Sequence, residues 1–173
     1  MTKDNIKAKK GFTIIEVVLV LAIAGLIFLM VFVALPALQR SQRDTARRDD
    51  MARFISQLAQ FQANNKNKVP DNNTTGKTWD GFIASYLNTG GDEFADPDGT
   101  DYQIQICGSA SGTPTGDCAL DGNNLTWDNN KHTIYVFTNA RCDGETVVPV
   151  ANAPYQVAIH YKLEGAGVYC GNN

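Results

Sequence analysis

The side chains that could do chemistry in this sequence are few, and most of their spacings argue against catalysis. Four cysteines, Cys107, Cys118, Cys142 and Cys170, all lie beyond residue 100. Paired C-x-x-C spacing or an adjoining histidine cluster would point to zinc, but the cysteines have neither, so no metal is assigned. The two histidines, His132 and His160, fall within or beside strand-like segments without a nucleophile motif nearby. There is no phosphate loop and no dinucleotide fingerprint, so the reading is a protein without catalytic residues or cofactor, and not an enzyme. Asp92, Glu93, Asp96, Asp98 and Asp101 gather oxygen ligands of the calcium type in one turn-rich stretch. Their order does not fit an EF-hand loop, and solvated turn acids are the favoured reading. Asn72, Asn73 and Asn124 lie in N-x-Thr sequons, which matter only in a host that glycosylates. Glu16 stands apart from all of these, directly before an apolar run, Val17 to Leu35, in which no side chain is polar.

The elements that position these residues differ sharply in composition. The chain has 173 residues, 43% hydrophobic and 19% charged, with net charge −3 and mean hydropathy −0.22. Those averages argue against a disordered chain, a nucleic-acid binder acting through overall basicity, and a polytopic membrane protein. Split by segment, residues 1–11 carry +3, residues 12–54 carry +1 and residues 55–173 carry −7. The layout is a basic leader, an apolar stem and an acidic head. At about 1.5 Å rise per residue, Val17 to Leu35 spans close to the roughly 30 Å of a bilayer core. A plain anchor gains nothing from Glu16, since a carboxylate at the centre of a membrane helix costs on the order of 2.5 to 3.5 kcal/mol and less toward its ends. Such an acid needs a cationic partner, and a new amino terminus at Phe12 would supply one.

The stretch Lys9-Lys10-Gly11-Phe12-Thr13-Ile14-Ile15-Glu16, followed by the apolar run, resembles the class III leader of type IV prepilins and pseudopilins. The resemblance implies cleavage after Gly11 by a membrane peptidase on the cytoplasmic face and N-methylation of Phe12. It also implies pairing of Glu16 with the amine of a neighbouring subunit. Cleavage there leaves the apolar helix on the mature protein and takes the net charge to −6. The implied protein is a structural subunit of a type IV pilus, a helical homopolymer with roles in adhesion, twitching motility or DNA uptake. Its implied partners are the peptidase and an assembly machinery driven by cytoplasmic ATPases. No sequence-specific nucleic-acid binding is expected. The implied location is a single-pass membrane protein before assembly, leader cytoplasmic and head external, and an extracellular filament afterwards. Two alternatives stand beside it. One is a pseudopilin of a type II secretion-like system, whose major subunits the turn Asp96-Pro97-Asp98-Gly99 leading into Tyr102 resembles. The other is a monomeric membrane-anchored binding module.

The expected fold is α+β: a long amino-terminal helix, half transmembrane and half amphipathic, on a small antiparallel sheet with disulfides. The expected divisions are a leader (residues 1–11), a membrane or filament-core helix (12–38), its amphipathic continuation (39–64) and a globular head (65–173). Met51, Phe54, Ile55, Leu58 and Phe61 mark one apolar face of the continuation. Arg40, Arg43, Asp44, Arg47, Arg48, Asp49, Asp50 and Arg53 read as a charged face, either solvated or pairing between subunits. Gly25 and Pro36 are expected to interrupt the helix, since proline removes a backbone hydrogen bond. In the head, Thr78 caps a short helix, and strands are expected at Tyr102 to Cys107, Thr133 to Thr138, Tyr155 to Leu163 and Gly167 to Cys170. Four cysteines allow three pairings. Cys107 with Cys118 would close a Gly/Ser/Thr/Pro loop, and Cys142 with Cys170 would tie the last strand to an earlier one.

Overall fold

A computed structural model describes residues 11–71, 77–89, 91, 93–109, 118, 120–121, 124–125, 132–165 and 167–173. The leader residues 1–10, Asn72, Asn73 and Asp92 lie outside the described residues. The chain divides into two compact units, residues 1–39 and 40–173.

In the first unit the helix α1, Ile14–Asn64, begins, and every large side chain of its apolar run is solvent-exposed. An 18-residue stretch of it reaches a mean hydropathy of 3.2 with none of its residues buried, long and apolar enough to cross a membrane. In the single chain α1 runs on through Gly25 and Pro36.

In the second unit α1 supplies Met51, Phe54, Leu58 and Phe61, each at most 2% exposed. Burying each such side chain contributes about 1.5 to 3 kcal/mol, which fixes this face of the helix against the sheet. The helix ends where Lys66 and Asn67 take left-handed backbone angles and the Asn67 amide donates to the Gln62 carbonyl at 2.8 Å. A second short helix, α2 (Trp79–Phe82), starts at Thr78, whose hydroxyl accepts from the Gly81 amide at 3.1 Å. It continues as a wide helical turn over Ile83–Leu87. Trp79, Phe82 and Leu87 extend the aromatic packing around Phe54 and Phe61.

The strands are β1 (Gln103–Ser109), β2 (Leu120–Asp121), β3 (Asn124–Leu125), β4 (Thr133–Thr138), β5 (Ala140–Asp143), β6 (Thr146–Pro149), β7 (Val157–Lys162) and β8 (Val168–Asn172). The main sheet has the order β1-β4-β7-β8, while β2-β3 and β5-β6 form separate two-stranded pairs. The architecture is α+β with a long helix and a small sheet, but the sheet is mixed. β1 and β4 run parallel, and the other neighbours are antiparallel. Parallel neighbours need a crossover of a dozen or more residues, and residues 110–132 provide that length.

Both faces of the sheet are covered. Ile134, Val136, Val157, Ile159 and Tyr161 face the α1 core, whereas Tyr135, Phe137 and Ala158 form a second cluster with Ala140, Val147 and Cys118. The disulfides Cys107–Cys118 and Cys142–Cys170 border this second cluster. A bulge between Ile106 and Gly108 takes Cys107 out of the β1 ladder, with Gly108 at φ +69°. Each disulfide joins a covering segment to a sheet strand, so the small second core is closed covalently. That linkage typically stabilises by about 2 to 4 kcal/mol.

Candidate assembly segment and a buried ion-pair network

Gly11, Phe12 and Thr13 precede the first helical residue, and all three are exposed. The bond between Gly11 and Phe12 therefore lies in non-helical, accessible backbone. Thr13 and Glu16 form a reciprocal cap at the start of α1. Glu16 Oε2 accepts from the Thr13 amide and from Thr13 Oγ1, both at 2.8 Å, while Thr13 Oγ1 accepts from the Glu16 amide at 3.4 Å. This is a capping box, and the spacing Thr13-Ile14-Ile15-Glu16 is its signature. Glu16 thus has a local task that its charge alone does not reveal. Its other oxygen, Oε1, takes no part in the cap.

The charged face of α1 differs from expectation. Arg47 is 3% exposed and lies on the core stripe with Met51, Phe54, Leu58 and Phe61. Its Nε and Nη2 donate to Asp96 Oδ2 and Oδ1 at 2.7 and 2.8 Å, a fork-to-fork pair. Its Nη1 reaches Asp44 Oδ1 and Glu164 Oε2, each at 3.2 Å. Arg43 makes a second forked pair with Glu164 at 2.8 and 2.7 Å. Asp44 accepts the amides of Glu164 and Gly165 at 2.8 Å, and a Cβ on Gly165 would come within 2.9 Å of the Asp44 carboxylate. Tyr102 donates to Asp50 at 2.9 Å, and Arg53 donates to the Leu87 carbonyl at 2.6 Å. These charges therefore clamp the head to its own helix, which replaces the solvated or intersubunit reading for them. Arg40, Arg48 and Asp49 remain exposed.

The acidic turn is built as its sequence suggests. The Gly99 amide donates to the Asp96 carbonyl at 2.8 Å across Pro97 and Asp98, and Asp98 Oδ1 accepts from the Thr100 amide at 3.0 Å. Asp96, Asp98 and His132 bring ligand-capable atoms within 4.8 Å of one another, and Glu93 and Asp101 do not join them. The set does not fit a metal. Asp96 Oδ1 already accepts from Arg47 and the Asp98 amide, and Oδ2 accepts from Arg47 and the Tyr161 hydroxyl, which fills the carboxylate's acceptor sites. A guanidinium in the same place also opposes a second cation.

Burial pushes the Asp96 carboxyl up, but the bonds from Arg47 and Tyr161 outweigh it and hold the group at about 2. Hydrogen bonding to Arg43 holds Glu164 at about 2 as well. Both folded values lie below the ordinary ones, so the network's contribution is complete above the unfolded carboxylate range. It is lost as pH falls from about 4 toward 2. Acid unfolding should accordingly steepen in that window, and Asp96→Asn should flatten the acid limb. A pH titration of unfolding followed by circular dichroism checks this, and an unchanged limb in the variant would refute it.

Residues 6–32 match the family described as the prokaryotic N-terminal methylation motif. The comparisons with curated proteins and with solved structures give no match. The motif supports a type IV pilin-like prepilin or pseudopilin and suggests a structural rather than a catalytic protein. Its class III leader and the apolar helix behind it fit a membrane-anchored pilin.

Proposed function

We propose that this chain is the subunit of a type IV pilus, cleaved after Gly11, methylated at Phe12 and polymerised through α1. The observation that carries this reading is the distribution of apolar surface. Of twenty exposed large apolar side chains among the described residues, nineteen lie between Phe12 and Leu38, and Tyr155 is the other. Leaving such side chains in water costs about 1.5 to 3 kcal/mol each, so the stem requires lipid or other stems around it. The described residues of the head offer no comparable apolar surface, so association through the stem is the economical route. In that assembly Glu16, with Oε2 held by Thr13, presents Oε1 to the methylated amine of a neighbour, and the pair sets axial register. A subunit out of register would strand the charge. The prepilin peptidase and a pilus assembly machinery with cytoplasmic ATPases are the proposed partners. Any opening of the helix at Gly25 and Pro36 would arise on packing.

Mass spectrometry of the mature amino-terminal peptide tests the proposal. A peptide beginning at N-methyl-Phe12 is expected, and an intact Met1 would overturn it in favour of the monomeric anchor. Long surface fibres composed mainly of this chain, seen by electron microscopy, would distinguish the pilus from a pseudopilin.

A further inference from the structure

His160, on the outer face of the sheet, is a titratable side chain used neither by the assembly segment nor by the ion-pair network. His160 lies in β7 between Tyr135 of β4 and Cys170 of β8 and is 4% exposed. The turn of the β5-β6 hairpin meets it, for the Glu145 carbonyl lies 2.7 Å from His160 Nε2. A carbonyl only accepts, so Nε2 carries the hydrogen, and in the neutral ring Nδ1 is the deprotonated nitrogen. Three further features anchor the hairpin: the Cys142–Cys170 disulfide, a 3.1 Å bond from the Cys142 amide to Asn172 Oδ1, and the burial of Ala140 and Val147.

We infer that His160 is a proton-operated latch: a second proton on its ring loosens the β5-β6 hairpin from the outer face of the sheet, while the Cys142–Cys170 disulfide keeps the hairpin attached. The physical cause is that the imidazolium would have to be held where the ring is only 4% exposed to water, beneath the hairpin and its disulfide. The charged and titratable groups on the elements around it are Arg141, Asp143 and Glu145 of the hairpin and Lys162 of its own strand. Tyr135 on β4 and Tyr169 on β8 add two phenols. Glu145 favours the charged ring, but burial has the larger effect and pushes the His160 ring below its ordinary value. A base depressed in the closed state is neutral there while the open state titrates normally. Closure is therefore fully stable above about pH 6.5 and weakens as pH falls through that value. With the hairpin loosened, Tyr135, Phe137 and Ala158 lose their cover, and the disulfide makes the change reversible.

Hydrogen exchange read by mass spectrometry on the full chain in detergent, corrected for intrinsic rates, tests this between pH 7.5 and 5. Protection of residues 140–149 should fall as the pH drops below about 6.5, the value at which the released ring takes up its proton. Protection of the α1 amides around Phe54 and Leu58 should stay constant. In His160→Gln the side-chain amide can still donate to the Glu145 carbonyl but cannot titrate, so its hairpin protection should be independent of pH. Hairpin protection that does not change with pH in the wild type would overturn the inference, as would an unchanged pH dependence in His160→Gln. Should that variant not fold, the wild-type imidazole followed by NMR decides: the ring must take up its proton over the same pH range in which the hairpin opens, and a ring that stays neutral while it opens refutes the latch.

Discussion

In the Arg47→Ala variant, unfolding of the head is expected to need about 3 to 5 kcal/mol less free energy than in the wild type, the usual cost of removing one partner from a buried ion pair. The size follows from what is left behind. Asp96 is 2% exposed and would retain the Tyr161 hydroxyl, the Asp98 amide and the His132 ring 3.5 Å away, but no permanent cation, for its charge. Asp44 and Glu164 would each lose a guanidinium contact as well. Arg47→Lys should recover part of the loss, because an ammonium supplies the charge but not the planar fork that meets both Asp96 oxygens. Arg48→Ala, on the exposed side of the helix, should stay within about 0.5 kcal/mol of wild type. Denaturant unfolding of the full chain in detergent, disulfides intact, measures all three through the near-ultraviolet signal of the aromatic core. An Arg47→Ala variant as stable as Arg48→Ala would show that the pair does not hold the head to its helix.

Much of the architecture is legible locally. The apolar stem, the stripe Met51, Phe54, Leu58 and Phe61, the Thr78 cap and the strand Thr133–Thr138 each follow from periodicity or from one side-chain bond within a few residues. What is not legible depends on distant partners. Arg47 is four residues before Met51 and so continues the apolar stripe, yet its residue type argues for solvent until Asp96 is placed beside it. The parallel pairing of β1 with β4 joins strands far apart along the chain, and no alternation pattern encodes that. The β5-β6 hairpin does have a signal, a glycine opening the two-residue loop Gly144-Glu145, with Gly144 at φ +63°. Four-residue strands beside a disulfide are short enough for that signal to be passed over.

The assembly segment divides the same way. Its order of lysines, glycine, aromatic, acid and apolar run is wholly sequential, and for that reason it can be matched over residues 6–32 without any fold. The cap between Thr13 and Glu16 is equally local, but attention to the charge of Glu16 hides its hydrogen bonds. The observed cap and the proposed amine pairing of this one carboxylate predict different results for two substitutions.

Glu16→Gln is expected to leave α1 intact at its start and to abolish filament formation. Glutamine serves the N3 position of a capping box as glutamate does, so the Thr13 amide keeps an acceptor. It carries no charge, so it cannot hold a methylated amine from a neighbouring chain within the apolar bundle. An ammonium left without a counter-charge in such surroundings costs several kcal/mol per subunit. Repeated along a polymer, that penalty reduces assembly by orders of magnitude. Glu16→Ala removes both functions and should add a frayed first turn, worth about 0.5 to 2 kcal/mol of helix stability. Both variants should insert in the membrane and be cleaved normally, because the apolar run Val17 to Leu35 and the residues around Gly11 are unchanged. The measurements are filament yield by shearing and electron microscopy, with membrane-fraction levels and the amino-terminal mass as controls. If Glu16→Gln assembles normally while Glu16→Ala does not, Glu16 acts through its cap and the charge-pairing account of register fails. If both lose filaments with insertion and cleavage intact, the charge is what assembly requires.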